Sequence, residues 1–247
     1  MSELSREFLL ARANRSEIAV PPSARDAGFD LNAAYGVESE IAHAMIESGR
    51  RIVGRKVGYA NKAMWRILKL ETLVWAHMYD DTVHRTKELA ASNFRSPKIE
   101  PEIVFKVKDP STVEWMALGF EIIDCPFPDW KFAPADFVAA WGLHAALVLG
   151  EPHPIDGNLP DELATFKLRL SKNGELVEEG SGKNSLRSPA LCLAELAVAA
   201  ERRGDLLKTG ELISTGTLTT AQPIASGETW RADVEGLPVD ALELRFT

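Results

Sequence analysis

The sequence predicts an α+β fold, with a mainly helical N-terminal region over residues 1–70 and a β-rich region over residues 71–247, together forming a single functional unit. Three observations predict it. Apolar residues recur at helical spacing in residues 3–15 and 38–50, where Met45 and Ile46 follow Ile41 by about one turn. From residue 99 onward β-branched and aromatic residues alternate with polar ones, most cleanly in Phe166-Lys167-Leu168-Arg169-Leu170. Lys172-Asn173-Gly174 then supplies a hairpin turn, because Asn-Gly tolerates the positive φ angles of a tight turn.

Taken in order, a helix over 3–15 leads into the polar, Pro-containing stretch 20–26. A second helix over 38–50 ends near Gly49, and Arg55-Lys56-Val57-Gly58-Tyr59 turns extended. Asn61 can cap a short helix through Trp65 and Leu68, since its side-chain oxygen can accept from a free helical N–H. Residues 98–107 and 119–124 read as strands. A short helix from Ala135 to about Trp141 runs into an apolar segment ending at Gly150. Ser188 is an N-cap, Pro189 fits the first helical position, and residues 190–203 form a helix stopped by Gly204. Residues 211–217, 228–234 and 239–246 close the chain as strands, so much of the second half is antiparallel sheet.

The bulk composition is that of a globular protein: 247 residues, 45% apolar, 26% charged, with mean hydropathy -0.11. A net charge of -8 and a pI near 5.3 disfavour nucleic acid or an anionic membrane as the main partner. The start has no signal-peptide pattern and no apolar run reaches the ~18 residues of a membrane span, so a cytoplasmic location is expected. Cys125 and Cys192 lack Cys-x-x-Cys spacing and are expected to be reduced and structural.

The chemistry concentrates in three acidic residues. Glu100 and Glu102, two apart in a strand, share one face, and Glu121 sits in another apolar, β-branched run where a bare charge is costly. A divalent cation such as Mg2+ or Mn2+, which favours oxygen ligands, would offset that cost. The competing reading is a solvated edge strand, which Pro101 allows. Lys56, bracketed by Gly54 and Gly58, is either a proton-transfer group in a place where backbone approaches a ligand or a lysine on a surface turn. Ser185, just before the helix N-terminus, is a candidate for binding a carboxylate, and Thr215 and Thr217 for the wall of a polar pocket. Of the five histidines none shows paired spacing, and His144 reads as a hydrogen-bonded core residue. No nucleophile elbow or phosphate loop is present.

In order, Gly54-Arg55-Lys56-Val57-Gly58, Glu100-Pro101-Glu102-Ile103, Gly119-Phe120-Glu121-Ile122-Ile123-Asp124, Asp129-Trp130 and Gly210-Glu211-Leu212-Ile213-Ser214-Thr215-Gly216 resemble the 2-keto-4-pentenoate hydratase and 4-oxalocrotonate decarboxylase family, within the fumarylacetoacetate hydrolase superfamily. The resemblance runs from about residue 38 to the C-terminus. It implies a twisted β-roll with helices outside it, and metal-dependent chemistry on small 2-oxo acids from aromatic-compound breakdown. It places the metal carboxylates at Glu100, Glu102 and Glu121 and the active-site lysine at Lys56. The implied activity is a hydratase on a 2-hydroxydienoate or 2-keto-4-enoate. The rivals are a decarboxylase of an oxo-diacid and a non-catalytic partner subunit. A homo-oligomer, able to form a hydratase–decarboxylase complex, is also implied. Asp124-Cys125-Pro126 and Leu186-Arg187-Ser188-Pro189 depart from the family's commoner patterns, which makes Arg187 a candidate for a second substrate carboxylate.

Overall fold

Helix α1 (Glu3–Asn14) opens on Ser2, whose hydroxyl accepts from the Ser5 N–H. The structure, a computed structural model, describes residues 1–109, 112–156 and 158–247. After a single turn, α2 (Pro22–Arg25), helix α3 (Leu31–Glu47) begins where Asp30 accepts from the N–H groups of Asn32 and Ala33 at 2.9 Å each. That start lies seven residues before the expected 38; its first two turns hold Asn32 and Gly36, weak helix formers. Strand β1 (Ile52–Gly58) and helix α4 (Lys62–Leu68), capped by Asn61, follow as expected.

Strand β2 (Val74–Tyr79) was not legible in the alternation pattern, since all six of its residues are buried and the run has no polar side. After the two-residue strands β3 (Val83–His84) and β4 (Glu88–Leu89), the long strands β5 (Pro97–Asp109) and β6 (Thr112–Asp124) pair antiparallel. Helix α5 (Pro134–Ala139) leads to β7 (His144–Leu149) and β8 (His153–Pro154). The hairpin β9 (Lys167–Lys172) and β10 (Glu175–Ser181) turns at Asn173-Gly174, both at positive φ. Helix α6 (Pro189–Arg202), capped by Ser188, precedes β11 (Leu212–Ser214), β12 (Gln222–Pro223), β13 (Thr229–Glu235) and β14 (Leu242–Phe246).

Among the described residues, nine strands form one sheet in the order β2-β1-β11-β5-β6-β7-β3, with β12 on β5 and β8 on β6; five form a second, β10-β9-β13-β14-β4. Strand periodicity sorts the residues of β5 and β6 between two cores. Ile99, Ile103 and Phe105 with Phe120 and Ile122 pack toward the second sheet, against Leu168, Trp230 and Leu244. The opposite face of the large sheet meets the helices, where Val57, Ile213 and Ile123 pack with Ile41, Val138 and Leu196. Strand β5 is therefore central, and the solvated-edge reading of Glu100 and Glu102 is overturned. Pro101 fits because it falls between the β11 and β12 pairings, where its carbonyl accepts from Leu218 N–H at 2.9 Å and no ladder donor is needed.

The glycines beside Lys56 serve packing within the fold. A Cβ on Gly54 would lie 2.0 Å from the Leu212 carbonyl oxygen, so the parallel β1–β11 pairing requires its absence. One on Gly58 would meet the Phe137 ring at 2.4 Å.

A buried polar network anchors β1 to its neighbours. Arg55 pairs with Asp205 at 3.1 Å and Glu211 at 3.3 Å and lies over the Trp75 ring. Its partner across β2, His77, bridges Glu38 of α3 at 2.7 Å and Asp205 at 3.3 Å. Burial opposes a charge on His77, but hydrogen bonds to Asp205 and Glu38 outweigh it and hold the imidazole up at about 9. Because the folded value exceeds the ordinary 6.5, this contribution is complete below pH 6.5 and is lost as pH rises through 9. It amounts to on the order of 3 kcal/mol. Denaturant unfolding at pH 6, 8 and 10 is expected to show stability falling more steeply in the native chain than in His77→Gln; parallel pH profiles would show that His77 carries no such charge.

Candidate active site and metal centre

Glu100 and Glu121 are direct partners across the β5–β6 ladder, and Glu102 is the next residue on the same face. Like charges directly opposed in a sheet are destabilising unless something lies between them. One carboxylate oxygen from each of the three residues lies within 4.8 Å of the other two. Glu102 and Glu121 are fully buried and Glu100 is half-buried.

Each carboxylate has its own support. Glu102 Oε2 accepts from Ser214 Oγ at 2.5 Å and from the Gly216 N–H at 2.9 Å. Gly216 is at φ +90°, a left-handed conformation that an L side chain would strain, in the turn that presents this N–H to Glu102. Glu102 Oε1 is buried with no hydrogen-bond partner. Glu121 Oε1 meets His144 Nδ1 at 2.9 Å, and its Oε2 lies 3.0 Å from Lys56 Nζ.

Lys56 is itself buried, donates to the Gly142 carbonyl at 2.9 Å and stands 5.0 Å from the Phe137 ring. Burial disfavours its charge, but Glu121, Glu100 and Glu102 prevail and raise its pKa above the ordinary value. Glu100 is pushed up to about 7, by burial first, with Lys56 pulling down and Glu121 adding to the rise. Burial first, then Glu121 and Glu100, push Glu102 well up.

The donor set fits a hard divalent cation. Three carboxylates face one ammonium in a buried place, and an orphaned oxygen of Glu102 has no other use in the fold. Open to solvent beside this cluster is a cavity of about 480 Å3, lined by Lys56, Tyr59, Lys98, Glu100, Trp130 and Thr217 among others. Its apolar wall is built from Tyr59 and Phe137, with ring centroids 5.1 Å apart.

The structure thus brings Lys56, Glu100, Glu102, Glu121 and Thr217 together. It does not bring the other expected groups to the cavity. Ser185 Oγ donates to the Thr215 carbonyl at 2.5 Å, and Thr215 Oγ1 to the Ile103 carbonyl at 2.8 Å, so both hydroxyls close the β5–β11 junction. Arg187 is exposed, at φ +71°, and is not among the lining residues.

Two site residues escaped the sequence reading of their roles. His144 is a buried, hydrogen-bonded residue as expected, but its partner is Glu121, while its Nε2 meets Thr82 Oγ1 at 3.0 Å. Burial lowers its pKa despite Glu121, which favours a neutral ring donating from Nδ1 to the carboxylate. No spacing signals this contact, because it arises where β7 joins β6. Lys98 was visible two residues before Glu100 on the same face; it stands 3.9 Å over the Trp130 ring. Among the described residues it makes no ion pair.

The fumarylacetoacetate (FAA) hydrolase C-terminal family matches residues 112–242. A 2-hydroxyhexa-2,4-dienoate hydratase of Comamonas testosteroni is 28% identical over 219 residues, covering 83% of this chain and 82% of its own. A 4-oxalocrotonate decarboxylase of Pseudomonas sp. (strain CF600) is 29% identical, with 95% of this chain and 96% of that one covered. The solved structure of 4-oxalocrotonate decarboxylase from Pseudomonas putida G7, complexed with magnesium and adipate, matches with a TM-score of 0.90 at 25% identity, over 99% of this chain and 96% of that chain. With more than half of its length matched, including the strand that carries Glu121, the chain belongs to the fumarylacetoacetate hydrolase family.

Proposed function

We propose that the protein is a divalent-metal-dependent carbon–oxygen lyase, a hydratase acting on a 2-hydroxydienoate or 2-keto-4-enoate in aromatic-compound catabolism. The observation that carries this reading is the convergence of Glu100, Glu102 and Glu121 within 4.8 Å beside a buried lysine and an open cavity. Hydratase relatives aligned over more than four-fifths of both chains support it.

Glu100, Glu102 and Glu121 would hold Mg2+ or Mn2+, which when bound supplies Lewis acidity at the 2-oxo acid end of the substrate. Lys56 holds a proton at Nζ. Its ammonium has three N–H donors; the Gly142 carbonyl accepts from one and Glu121 pairs with the charge at 3.0 Å, so donor capacity is left for the substrate. Neutral His144 keeps Glu121 oriented from behind. Phe137 and Tyr59 exclude water from one wall. Thr217 Oγ1 already donates to the Thr219 carbonyl at 2.9 Å, so toward a substrate it acts as an acceptor.

A second reading, decarboxylation of a 2-oxo diacid, is favoured by Lys98. This cation lines the cavity along the strand from Glu100 and is suited to a carboxylate at the far end of a short substrate. In this role it takes the place first considered for Arg187. A partner subunit of the same fold without turnover is the third reading. The whole chain acts as one unit in all three, since Lys56 comes from residues 1–70 and the carboxylates from residues 71–247. A cytoplasmic homo-oligomer, able to join a hydratase–decarboxylase complex, belongs to the same proposal; no described helix is long and apolar enough to cross a membrane.

With Mg2+ and 2-hydroxypenta-2,4-dienoate, ultraviolet absorbance of the dienol is expected to fall without release of CO2. Release of CO2 from 4-oxalocrotonate would select the decarboxylase, and turnover of neither would leave only the partner subunit. Glu102→Gln is expected to weaken Mn2+ binding about a hundredfold in an electron paramagnetic resonance titration; unchanged affinity in a folded variant removes Glu102 from the ligand set. Lys98→Met is expected to raise KM for a 2-oxo diacid about tenfold and to leave a 2-oxo monoacid unaffected. Equal effects on both would mean that Lys98 does not read the distal charge.

A further inference from the structure

Behind the wall that carries Gly142 and His144 lies a separate cavity of about 190 Å3, lined by Arg12, Arg15, Arg95, Trp141, Leu143 and His144 among others. Three arginines therefore border one small space. Arg12 donates to the His144 carbonyl at 2.7 Å and lies 4.9 Å from the Trp141 ring, and no carboxylate stands within ion-pair distance of it among the described residues. The Arg15 guanidinium donates to the Ser92 carbonyl and, among the described residues, makes no ion pair. The one acid lining the cavity, Asp124, has both oxygens occupied by the N–H groups of Arg95 and Ser96, and Arg95 alone has an ionic partner, Glu17. Burial pulls Arg12 below its ordinary value more than the distant Asp81 and Asp124 restore, as befits a cation short of counter-charge.

The wall between the two cavities is strained. Trp141 and Leu143 lie at φ +53° and +60°, in the left-handed region that L side chains disfavour. The same few residues are gripped from both sides: Lys56 and Glu121 hold the Gly142 carbonyl and the His144 ring, and Arg12 holds the His144 carbonyl.

We propose that this arginine-lined cavity is a second binding site, for a small oxyanion carrying carboxylate or phosphate groups, and that its occupancy is coupled to the active site through the wall at 141–144. Guanidiniums suit such anions because their N–H donors pair with two oxygens at once. A space of this size admits an anion as small as phosphate or succinate. The coupling rests on the active-site reading above; the binding itself does not.

The test is thermal unfolding of the Mg2+-loaded protein with saturating oxalate in the active site, titrated with inorganic phosphate or with succinate, chloride holding ionic strength constant. The native chain and Lys98→Met are expected to gain a saturable rise in Tm with one of the two anions, and Arg12→Met is expected to show none. Should Arg12→Met fail to fold, Arg15→Met is expected to weaken the anion about tenfold. A flat response in the native chain, an equal response in the arginine variants, or loss of the response in Lys98→Met would overturn the proposal, the last by placing the anion in the substrate cavity. Linkage adds a readout that does not depend on turnover: oxalate Kd, measured by calorimetry, shifts by the factor by which oxalate shifts the anion's Kd. Anion binding with an unchanged oxalate Kd would overturn the coupling and leave the site, and its failure is thus distinguishable from failure of the proposed activity.

Discussion

The arrangement depends on the electrostatic cost of placing Glu100 and Glu121 face to face in the middle of a sheet, with Glu102 beside them. A folded chain tolerates this only where positive charge and donors surround the carboxylates. Here Lys56, Ser214, the Gly216 N–H and His144 are those partners, drawn from β1, the β11 end and β7. They leave a surplus of negative charge and, among the described residues, Glu102 Oε1 without a hydrogen-bond partner, the signature of a place built for a cation. The supporting elements are themselves pinned by the Arg55–Asp205–His77–Glu38 network on the other side of β1.

Strand alternation explains why one hairpin can serve both stability and chemistry. Alternate residues of β5 and β6 fill the inter-sheet core with Ile99, Ile103, Phe105, Phe120 and Ile122. Those between them carry acids to the helical side, where the segment from α5 to β7 closes over them. The rigid, apolar half of each strand holds the polar half in position, so the carboxylates need no flexible loop to meet.

Much of the architecture was legible because it was written in local chemistry. Ser188-Pro189 and Gly204 bound helix α6, Asn61 caps α4, and Asn173-Gly174 turns a hairpin, each through interactions within a few residues. The start of α3 and the whole of β2 were not legible. The former holds Asn32 and Gly36, weak helix formers, in its first turns and the latter, buried on both sides, has no alternation to detect. For the site, the shared face of Glu100 and Glu102 followed from a period of two. The readings of Ser185, Thr215 and Arg187 rested on residue type, on a place beside a helix or strand end and on a departure from a family pattern, none of which says where a hydroxyl or guanidinium finds its partner.

What the sequence by itself determined was the set of short-range facts: caps, turns, alternating strands, and an unusual concentration of acid in apolar strands beside a lysine between glycines. Only the tertiary structure decided that Glu100 opposes Glu121, that Gly54 makes room for Leu212 and Gly58 for Phe137, and that His144 rather than a neighbour in sequence supports the acid. The reason is physical. Local chemistry depends on residues a few positions apart, whereas strand register joins residues tens of positions apart, and no pattern along one strand records which partner its neighbour will present.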